Sequence, residues 1–406
     1  MQALDLVYDV AVIGGGAAGM IAAVRAAERN KKVLLLEKAE KPGRKILASG
    51  NGRCNLMNRR EPRYFGDTRF ALQVLQKCTP EDLNRFFQKY GLILTEEQEG
   101  RVYPATYQAG SVVSVLKNAM KLTDVTLRMN AAVHSVCRKE SCFEILTGSG
   151  DSFHSLKVIV TCGGAAQPKL GGSCDGYHIL ESMGHKIFPV SPALVPLNTD
   201  AKSISGLSGI RIRCIVRLVQ DERIIREESG EVLFTDYGVS GICIMQCARF
   251  ADQPGTYIQL DFLKNVFPDR ISAMKEMKRR KKLFASCSPL WLLNGILPEK
   301  IAFAVLKQAG LALRGETASD IGEKELEKIV QTGCSYRIDI TGNRGLEYAQ
   351  VTAGGADCGE FDPSTMQSRI IPGLFAAGET MNVDGDCGGY NLMFAFASGL
   401  LAGSAV

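Results

Sequence analysis

Three glycines and one acid have the spacing of a dinucleotide-binding site. Gly14, Gly16 and Gly19 form a G-x-G-x-x-G pattern, and Glu37 stands at the end of the next apolar run. The first glycine permits a tight turn, the second lets backbone approach a pyrophosphate, and the third lets a helix pack closely on its strand. Glu37 is placed to accept hydrogen bonds from a ribose. The alternative is a tight turn that binds no ligand.

The apolar pattern around these glycines predicts the elements that must position them. Residues 10–13 form a short apolar run, an alanine-rich helical pattern follows, and a second apolar run covers residues 33–36. We therefore predict a βαβ unit over residues 7–37. The N-terminus of its helix, at Ala17 and Ala18, would offer free N–H groups and a positive dipole end to a phosphate.

The loop directly after Glu37 is rich in glycine, cations and small polar residues. Cations there can neutralise phosphate, and donors further along could reach a flat ring with polar edges. A solvated surface loop is the alternative, but the position after the ribose acid favours a ligand loop. The loop residues predicted to contact the cofactor are Lys38, Arg44, Lys45, Ser49, Gly50, Arg53, Cys54 and Asn55.

Two later segments repeat the combination of an apolar strand and a glycine turn. Residues 158–164 run from a strand into Gly163, and residues 373–379 run from a strand into Gly378 and Glu379. A helix of small residues, 392–402, then follows a glycine-rich loop. Its N-terminus would again point at a ligand.

The middle of the chain has a different pattern. Prolines near residue 190 indicate a boundary, residues 208–219 alternate like a half-exposed strand, and the pattern turns helical from about 268 to 332. We predict an α/β fold with a Rossmann-like domain built from both chain ends, 1–190 and 335–406. A β-rich, barrel-like unit (191–265) and a small helical unit (266–334) are inserted.

Composition excludes several classes of protein. The 406 residues are 46% hydrophobic and 22% charged, as in a globular protein, and the net charge of +5 permits an anionic ligand without requiring nucleic acid. No apolar run is long enough to span a bilayer, and no signal peptide is evident. The 13 cysteines are therefore interpreted as reduced and the protein as cytoplasmic, and their spacing predicts no metal site. The basic run Lys278–Lys282 could touch RNA, but a solvated helix face is the preferred interpretation.

Specific sequence blocks resemble one flavoprotein family over nearly the whole chain. The blocks are residues 14–19, 43–55, 161–164, 233–235, 238–241, 351–355, 373–379 and 388–392. They are similar to the bacterial NAD(P)/FAD-dependent oxidoreductases that include BaiN-like bile-acid 4,6-reductases and aminoacetone-oxidase-like proteins. The chain departs from that family's pattern at Asp236, Met381, Asn382 and Met393, which leaves the substrate open.

The resemblance implies an FAD cofactor and assigns contacts to it. The glycines of the first turn would meet the pyrophosphate and Glu37 the adenosine ribose, while the loop ending at Asn55 approaches the flavin. The resemblance adds the following contacts: Val133 to the adenine region, Thr161 and Gly163 to the ADP part, Gly378 and Glu379 to the ribityl–phosphate, and Gly389, Asn391 and Leu392 to the isoalloxazine.

We hypothesise that NAD(P)H gives hydride to flavin N5 and that an activated C=C bond of a small organic substrate, of the bile-acid or steroid enone type, then receives it. No second strand–G-x-G-x-x-G–helix unit is present, so NAD(P)H would bind transiently. The alternatives are a flavin oxidase of a small amine or carbonyl compound and a flavin-dependent RNA-modifying protein. Neither nucleic acid nor a membrane is an expected partner, and oligomeric state stays open.

Catalytic residues are not assigned by the sequence. Asp236, Tyr237 and Tyr390 are candidates for a general acid. Cys54 and Cys387 lie in motifs that should converge on the flavin, although a packed thiol is the favoured interpretation of each. Cys137 and Cys142 have the spacing of a redox pair but lie in the β segments far from the first turn.

Overall fold

The computed structural model describes residues 7–311 and 315–406, and their contacts divide the chain into two compact units. The first unit joins the segment up to Pro192 with Gln350–Val406. The second, called the barrel unit below, is continuous from Ala193 to Ala349. No helix in the described ranges is long and apolar enough to cross a bilayer.

Strands and helices are numbered in chain order. The strands up to residue 193 are β1 (Val7–Ile13), β2 (Val33–Leu36), β3 (Met57–Asn58), β4 (Tyr64–Gly66), β5 (Leu94–Glu96), β6 (Arg101–Pro104), β7 (Thr126–Arg128), β8 (Val133–Arg138), β9 (Phe143–Thr147), β10 (Ser152–Val160) and β11 (Ile187–Ala193). The later strands are β12 (Leu197–Thr199), β13 (Arg211–Gln220), β14 (Arg223–Phe234), β15 (Gly238–Ser240), β16 (Thr256–Asp261), β17 (Tyr336–Asn343), β18 (Val351–Ala356), β19 (Leu374–Ala376) and β20 (Val383–Gly385). The helices are α1 (Ala17–Ala27), α2 (Arg44–Ala48), α3 (Thr68–Lys77), α4 (Pro80–Lys89), α5 (Ala109–Leu122), α6 (Asp175–Ser182), α7 (Ile242–Cys247), α8 (Arg270–Leu283), α9 (Glu299–Gln308), α10 (Glu323–Cys334) and α11 (Tyr390–Ala405).

A largely parallel sheet forms the centre of the first unit. Its order is β7–β2–β1–β10–β9–β8, and β19 pairs with β10 in parallel. Strand β1 lies between β2 and β10, parallel to both. Its residues 10–12 are fully buried because helices cover the sheet, which is why the sequence there is continuously apolar. The predicted Rossmann-like α/β fold is confirmed.

Small residues join the two ends of the first unit. Helix α11 packs on α1, and a Cβ built on Gly399 would lie 2.4 Å from the Ala18 carbonyl oxygen. A Cβ on Gly403 would lie equally close to the carbonyl oxygen of Ala22. The two helices therefore approach at backbone distance, and only glycine fits at these positions of α11.

The predicted antiparallel meander over residues 124–161 is partly wrong. Strands β8, β9 and β10 are antiparallel neighbours. Strand β7, however, pairs in parallel with β2 on the other side of the sheet. Strand β10 is long enough to pair with β9 through its first residues and with β1 along its length, so it belongs to the central sheet.

The barrel unit is a closed barrel in the order β12–β15–β14–β13–β16–β17, and it also contains helices α7 to α10. Residues of β13 alternate between the buried interior and the surface, as its sequence pattern requires. The predicted domain boundary at residue 335 differs from the structure, where the unit extends to Ala349. The reason is that β17 closes the barrel by pairing with β12 and β16.

Candidate functional site

The turn between β1 and α1 is shaped by two glycines that no larger residue could replace without movement. Gly14 has a φ of +103°, and a Cβ there would lie 2.5 Å from the Thr161 carbonyl oxygen. A Cβ on Gly19 would lie 1.9 Å from the Gly14 carbonyl oxygen. Gly14 therefore makes the turn, and Gly19 lets α1 pack against it.

Gly16 differs from Gly14 and Gly19 because the space beside it is open. A Cβ on this residue would meet no atom within 4 Å. Gly16 is the N-cap residue of α1, and no side chain caps the helix. The first N–H groups of α1, at Ala17 and Ala18, thus lie at an uncapped, positive helix end next to empty space, as a phosphate requires.

Glu37 is held at the carboxyl end of β2. Its Oε2 accepts the Gly15 N–H at 2.7 Å, and its Oε1 accepts the Ala39 N–H at 2.7 Å. The carbonyl oxygen of Glu37 accepts the Ala131 N–H at 2.9 Å. This bond brings the start of β8, at Val133, towards the same end of the sheet, although β8 itself lies on the opposite edge.

Thr161 and Gly163 follow the carboxyl end of β10 beside the first turn. The buried Thr161 hydroxyl donates towards the carbonyl oxygens of Ile13 and Gly14, at 2.9 and 3.0 Å. Gly163, with a φ of +76°, donates its N–H to Thr380 Oγ1 at 3.1 Å. Thr380 was not predicted as a site residue, because only the fold brings it against this turn.

Gly378 and Glu379 come from the far end of the chain to the N-terminus of α1. A Cβ on Gly378 would lie 2.9 Å from Ala18 Cβ, and the Gly378 N–H donates to Ser398 Oγ at 3.0 Å. Glu379 accepts the Thr352 N–H at 2.9 Å. The structure thus brings the predicted residues of both chain ends together around one helix terminus.

The cations predicted to neutralise phosphate already have protein partners. Lys38 Nζ lies 2.6 Å from Ser173 Oγ and 3.0 Å from Asp175 Oδ2. Arg44 donates to the carbonyl oxygen of Lys169 at 2.7 Å. Lys45 forms a 2.6 Å ion pair with Glu379 Oε2. These contacts tie the loop to other parts of the first unit.

The side chains of Ser49 and Arg53 are also engaged within the loop region. Ser49 Oγ donates to the Ile46 carbonyl oxygen at 2.6 Å. Arg53 pairs with Glu97 at 2.7 Å and lies over the rings of Tyr103 and Tyr107, each 4.6 Å from the guanidinium carbon. Gly50 has a φ of +56° and lets the turn approach Asn55. A Cβ on Gly50 would lie 2.9 Å from the Asn55 backbone nitrogen.

Asn55 Oδ1 is a buried oxygen that lacks a hydrogen-bond donor in the described structure. It lies beside Gly389, where a Cβ would approach this oxygen to 2.7 Å. Gly389 has a φ of +104° and is the N-cap residue of α11. A ring N–H of a bound ligand could satisfy this oxygen, since buried polar groups are seldom left unpaired.

Asn391 stabilises the loop that precedes α11. Its Oδ1 accepts the Gly385 N–H at 2.8 Å and its Nδ2 donates to the Gly385 carbonyl oxygen at 2.8 Å. The amide is therefore used within its own loop. The neighbouring Leu392 is half-buried against the core of the first unit.

The cysteine thiols of the motifs differ in burial. Cys54 is fully buried, and burial raises its pKa to about 12, so the thiol is neutral at physiological pH. Cys387 Sγ lies 3.8 Å from Gln350 Oε1. Cys137, on β8, is exposed and Cys142 is partly exposed, and neither forms a disulfide. A packed thiol is the role that the geometry gives to Cys54.

The candidate proton donors are poorly placed for acid chemistry or lie in the barrel unit. Tyr390 is buried, its hydroxyl donates to the Glu61 carbonyl oxygen at 3.3 Å, and burial raises its pKa. Asp236 is exposed, and Tyr237 lies under the guanidinium of Arg344, 4.3 Å from its carbon. No general acid is assigned.

The described residues contain no cluster suited to a metal ion, and the basic run on α8 is partly paired. Within residues 7–311 and 315–406, no group of three or more His, Cys, Asp or Glu side chains could hold a metal ion. In the basic run on α8, Lys278 pairs with Glu323 at 2.9 Å, while Arg279 and Arg280 both pair with Glu276. Two carboxylates thus offset part of the charge of these five cations.

Comparison with known proteins gives one family and two close groups of relatives. Residues 8–405 match the HI0933-like protein Rossmann domain. A 3-dehydro-bile acid delta(4,6)-reductase from Clostridium scindens is 34% identical over 407 residues, 98% of each chain. A ribosomal RNA dihydrouridine synthase from Escherichia coli is 30% identical over 397 residues, 96% of each chain. Among solved structures, a 3-ketosteroid-delta4-(5alpha)-dehydrogenase from Rhodococcus jostii is 14% identical, with a TM-score of 0.49, covering 100% of this chain and 98% of that one.

Proposed function

The chain belongs to the HI0933-like Rossmann family and is an FAD-dependent oxidoreductase, and we propose that it reduces a C=C bond conjugated to a carbonyl, with NAD(P)H as hydride source. The names of the two relatives support this class of reaction. A 3-oxo bile acid with double bonds at positions 4 and 6 is a conjugated enone. The uracil ring likewise carries its C5=C6 bond beside the C4 carbonyl. Both reductions add a hydride and a proton across such a bond.

The open space at Gly16 is the observation that supports the cofactor most directly. Backbone N–H groups at the N-terminus of α1 would hold the pyrophosphate, and the fixed Glu37 carboxylate would accept from a ribose. The unpaired Asn55 oxygen beside Gly389 fits a ring N–H on the flavin side. When bound, FAD supplies two-electron chemistry, in which a hydride is accepted and then delivered.

The chain's own residues would bind and orient these groups. The hydroxyls of Thr161 and Thr380 fix the turns on either side of the first helix terminus, so the phosphate donors are preorganised. The N-terminus of α11 carries a positive dipole end, which favours negative charge near it. The only G-x-G-x-x-G turn that follows an apolar strand is at residues 14–19, so NAD(P)H would bind transiently.

A small enone is the first substrate candidate, because the bile-acid reductase relative covers almost the whole chain at 34% identity. A uracil base in RNA is the second candidate, favoured by the dihydrouridine synthase relative at 30% identity. In the basic run on α8, Lys278, Arg279 and Arg280 share two carboxylate partners, so part of the positive charge of the run remains for contact with RNA.

A spectroscopic experiment tests the proposed chemistry. The purified protein should show flavin absorption bands near ~370 and ~450 nm and release FAD on heating. Addition of NADH or NADPH without oxygen should bleach the ~450 nm band, and a conjugated enone should restore it. A band that NAD(P)H leaves unchanged would contradict the nicotinamide link. Restoration by O₂ alone, much faster than by any enone, would favour the oxidase alternative.

A second experiment separates the two substrate candidates. The reduced protein is incubated with a 3-oxo-Δ4,6 steroid or with unmodified ribosomal RNA, and products are analysed by mass spectrometry. Gain of two hydrogens by the steroid alone supports the small-molecule candidate, and dihydrouridine in the RNA alone supports the other. RNA binding should weaken steeply with salt if phosphates are contacted. No product from either substrate would contradict the proposed substrate class.

A further inference from the structure

An arginine of the barrel unit is held against two tyrosines without a carboxylate partner. The Arg344 guanidinium carbon lies 4.3 Å from the ring centroid of Tyr237 and 4.2 Å from that of Tyr348. In the ranges that the structure describes, no acidic side chain forms an ion pair with Arg344. We propose that these three residues form a binding site for an oxyanion, either a carboxylate or a phosphate.

Comparison with other arginines of the chain shows why the missing carboxylate matters. Arg53 lies over Tyr103 and Tyr107 and pairs with Glu97 at 2.7 Å. Arg337 lies over a tyrosine ring as well and pairs with Asp339 at 2.8 Å. Both of these tyrosine-stacked guanidinium groups are thus paired with a carboxylate. Arg344 has no such partner in the described ranges.

An unpaired donor on the same side chain is the second, independent observation. Arg344 Nε is buried and has no acceptor in the described parts of the chain. A buried N–H without a partner is costly, so an acceptor from a ligand would be favourable. Carboxylate and phosphate oxygens suit the guanidinium fork, where one oxygen can bind Nε–H and another a terminal N–H.

Backbone hydrogen bonds hold the segments that carry the three side chains. The Arg344 N–H donates to the Pro196 carbonyl oxygen at 3.1 Å. The Tyr348 N–H donates to the carbonyl oxygen of Gly345, and the Tyr237 carbonyl oxygen accepts the Thr199 N–H. Tyr348 is nearly half exposed, so one side of the cluster faces solvent.

Asp200 and Asp252 bond to groups other than Arg344, although Asp200 Oδ1 is buried without a hydrogen-bond partner. Asp200 Oδ2 accepts the Ser203 N–H at 3.0 Å. Both carboxylate oxygens of Asp252 accept hydrogen bonds from Asn343 Nδ2. Asn198 Oδ1 and Thr199 Oγ1, on β12, are buried without partners.

Nitrogen-15 NMR of arginine-labelled, full-length protein tests the site without measuring activity. The Arg344 Nε–H signal is assigned by its loss in Arg344→Lys. Sodium phosphate and sodium acetate are titrated at constant ionic strength, with chloride as the reference. We expect the Arg344 signal to shift with phosphate, acetate or both, while the Arg53 signal, neutralised by Glu97, stays in place. A shift with phosphate alone indicates a nucleotide phosphate as the source, and a shift with acetate alone indicates a carboxylate.

A tyrosine variant supplies a second measurement. Tyr348→Ala removes an exposed ring and should weaken the anion affinity by about two- to five-fold, the contribution of one cation–aromatic contact. An Arg344 signal that neither anion moves, or that chloride moves equally, would overturn the proposal. So would an anion affinity unchanged in Tyr348→Ala. The wild-type titration remains valid if Arg344→Lys does not fold, because the Tyr348→Ala spectrum also identifies the signal.

Discussion

Substitution of Gly16 by alanine and substitution of Gly19 by alanine should impair different properties of the protein, although the two glycines belong to one motif. At Gly16 the backbone is extended, with φ at −83°, and a Cβ meets no atom within 4 Å. At Gly19 the same Cβ would lie 1.9 Å from one carbonyl oxygen and 2.7 Å from Thr161 Oγ1. We expect Gly16→Ala to spare folding and impair cofactor binding, and Gly19→Ala to impair folding itself.

The magnitudes follow from these contacts. Gly19→Ala overpacks a rigid backbone contact and should lower the free energy of unfolding by about 1–3 kcal/mol or more. Gly16→Ala should change the free energy of unfolding of the apoprotein by less than about 1 kcal/mol, because alanine restricts the unfolded chain but is a poorer N-cap residue than glycine. A methyl group in the space that a pyrophosphate would fill should cost a similar 1–3 kcal/mol of binding, roughly 5- to 150-fold in affinity.

The assay compares urea unfolding of the apoprotein with FAD affinity, measured by quenching of free flavin fluorescence. Gly110→Ala is the matched control, since Gly110 lies on the exposed face of α5 with no atom within 4 Å of a Cβ. It should keep wild-type affinity. If Gly16→Ala binds FAD as tightly as Gly110→Ala does, the pyrophosphate is not held at this turn, and the reasoning from open space is refuted.

Three other predictions concern stability and reactivity. Burial alone would raise the pKa of Glu28, but hydrogen bonds from Lys89 and other donors lower it below the ordinary value of 4.5. The ionised Glu28 therefore stabilises the folded state above pH 4.5, and this stabilisation is lost as the pH falls through the lowered pKa. Glu28→Gln should therefore cost about 1 kcal/mol at neutral pH and little in acid, as urea unfolding at several pH values will show, and a gap that persists at low pH would be contrary evidence. The buried His185 lies between Glu360 and a serine hydroxyl, so His185→Ala should lower the free energy of unfolding by about 2–4 kcal/mol in chemical denaturation, and a change within error would reject this role. Iodoacetamide at pH 8 should label the exposed Cys137 well before Cys54, whose pKa is about 12, and mass mapping that finds equal rates would disprove the packed-thiol role.

Local pattern was sufficient to predict the first βαβ unit. The apolar runs of β1 and β2 and the helical spacing of α1 are all set within residues 7–37. The same kind of evidence failed for β7 and β17. Alternation identifies a strand, but nothing within Tyr336–Asn343 indicates which sheet accepts it. The barrel closes through pairing with β12, far earlier in the chain.

The contacts of the candidate site show the same limit of prediction from local sequence. The sequence placed Lys45 and Arg53 in a ligand loop, yet it could not show that their charges are used by Glu379 and Glu97. The Lys45–Glu379 bond joins residues 334 positions apart. Thr380, which fixes the Gly163 turn, and the unpaired oxygen of Asn55 likewise arise only when distant segments meet.

The joining of both chain ends in the first unit has a consequence for biosynthesis. Strand β10 cannot pair with β19, and α1 cannot pack on α11, until the ribosome has synthesised the whole barrel unit between them. The barrel unit is continuous in sequence, so all of its strands are synthesised before then. The nascent first half meanwhile exposes apolar surface on α1 and an unpaired edge on β10, both of which promote aggregation. Such long-range pairing slows folding, so the residues proposed to hold the cofactor come together late in folding.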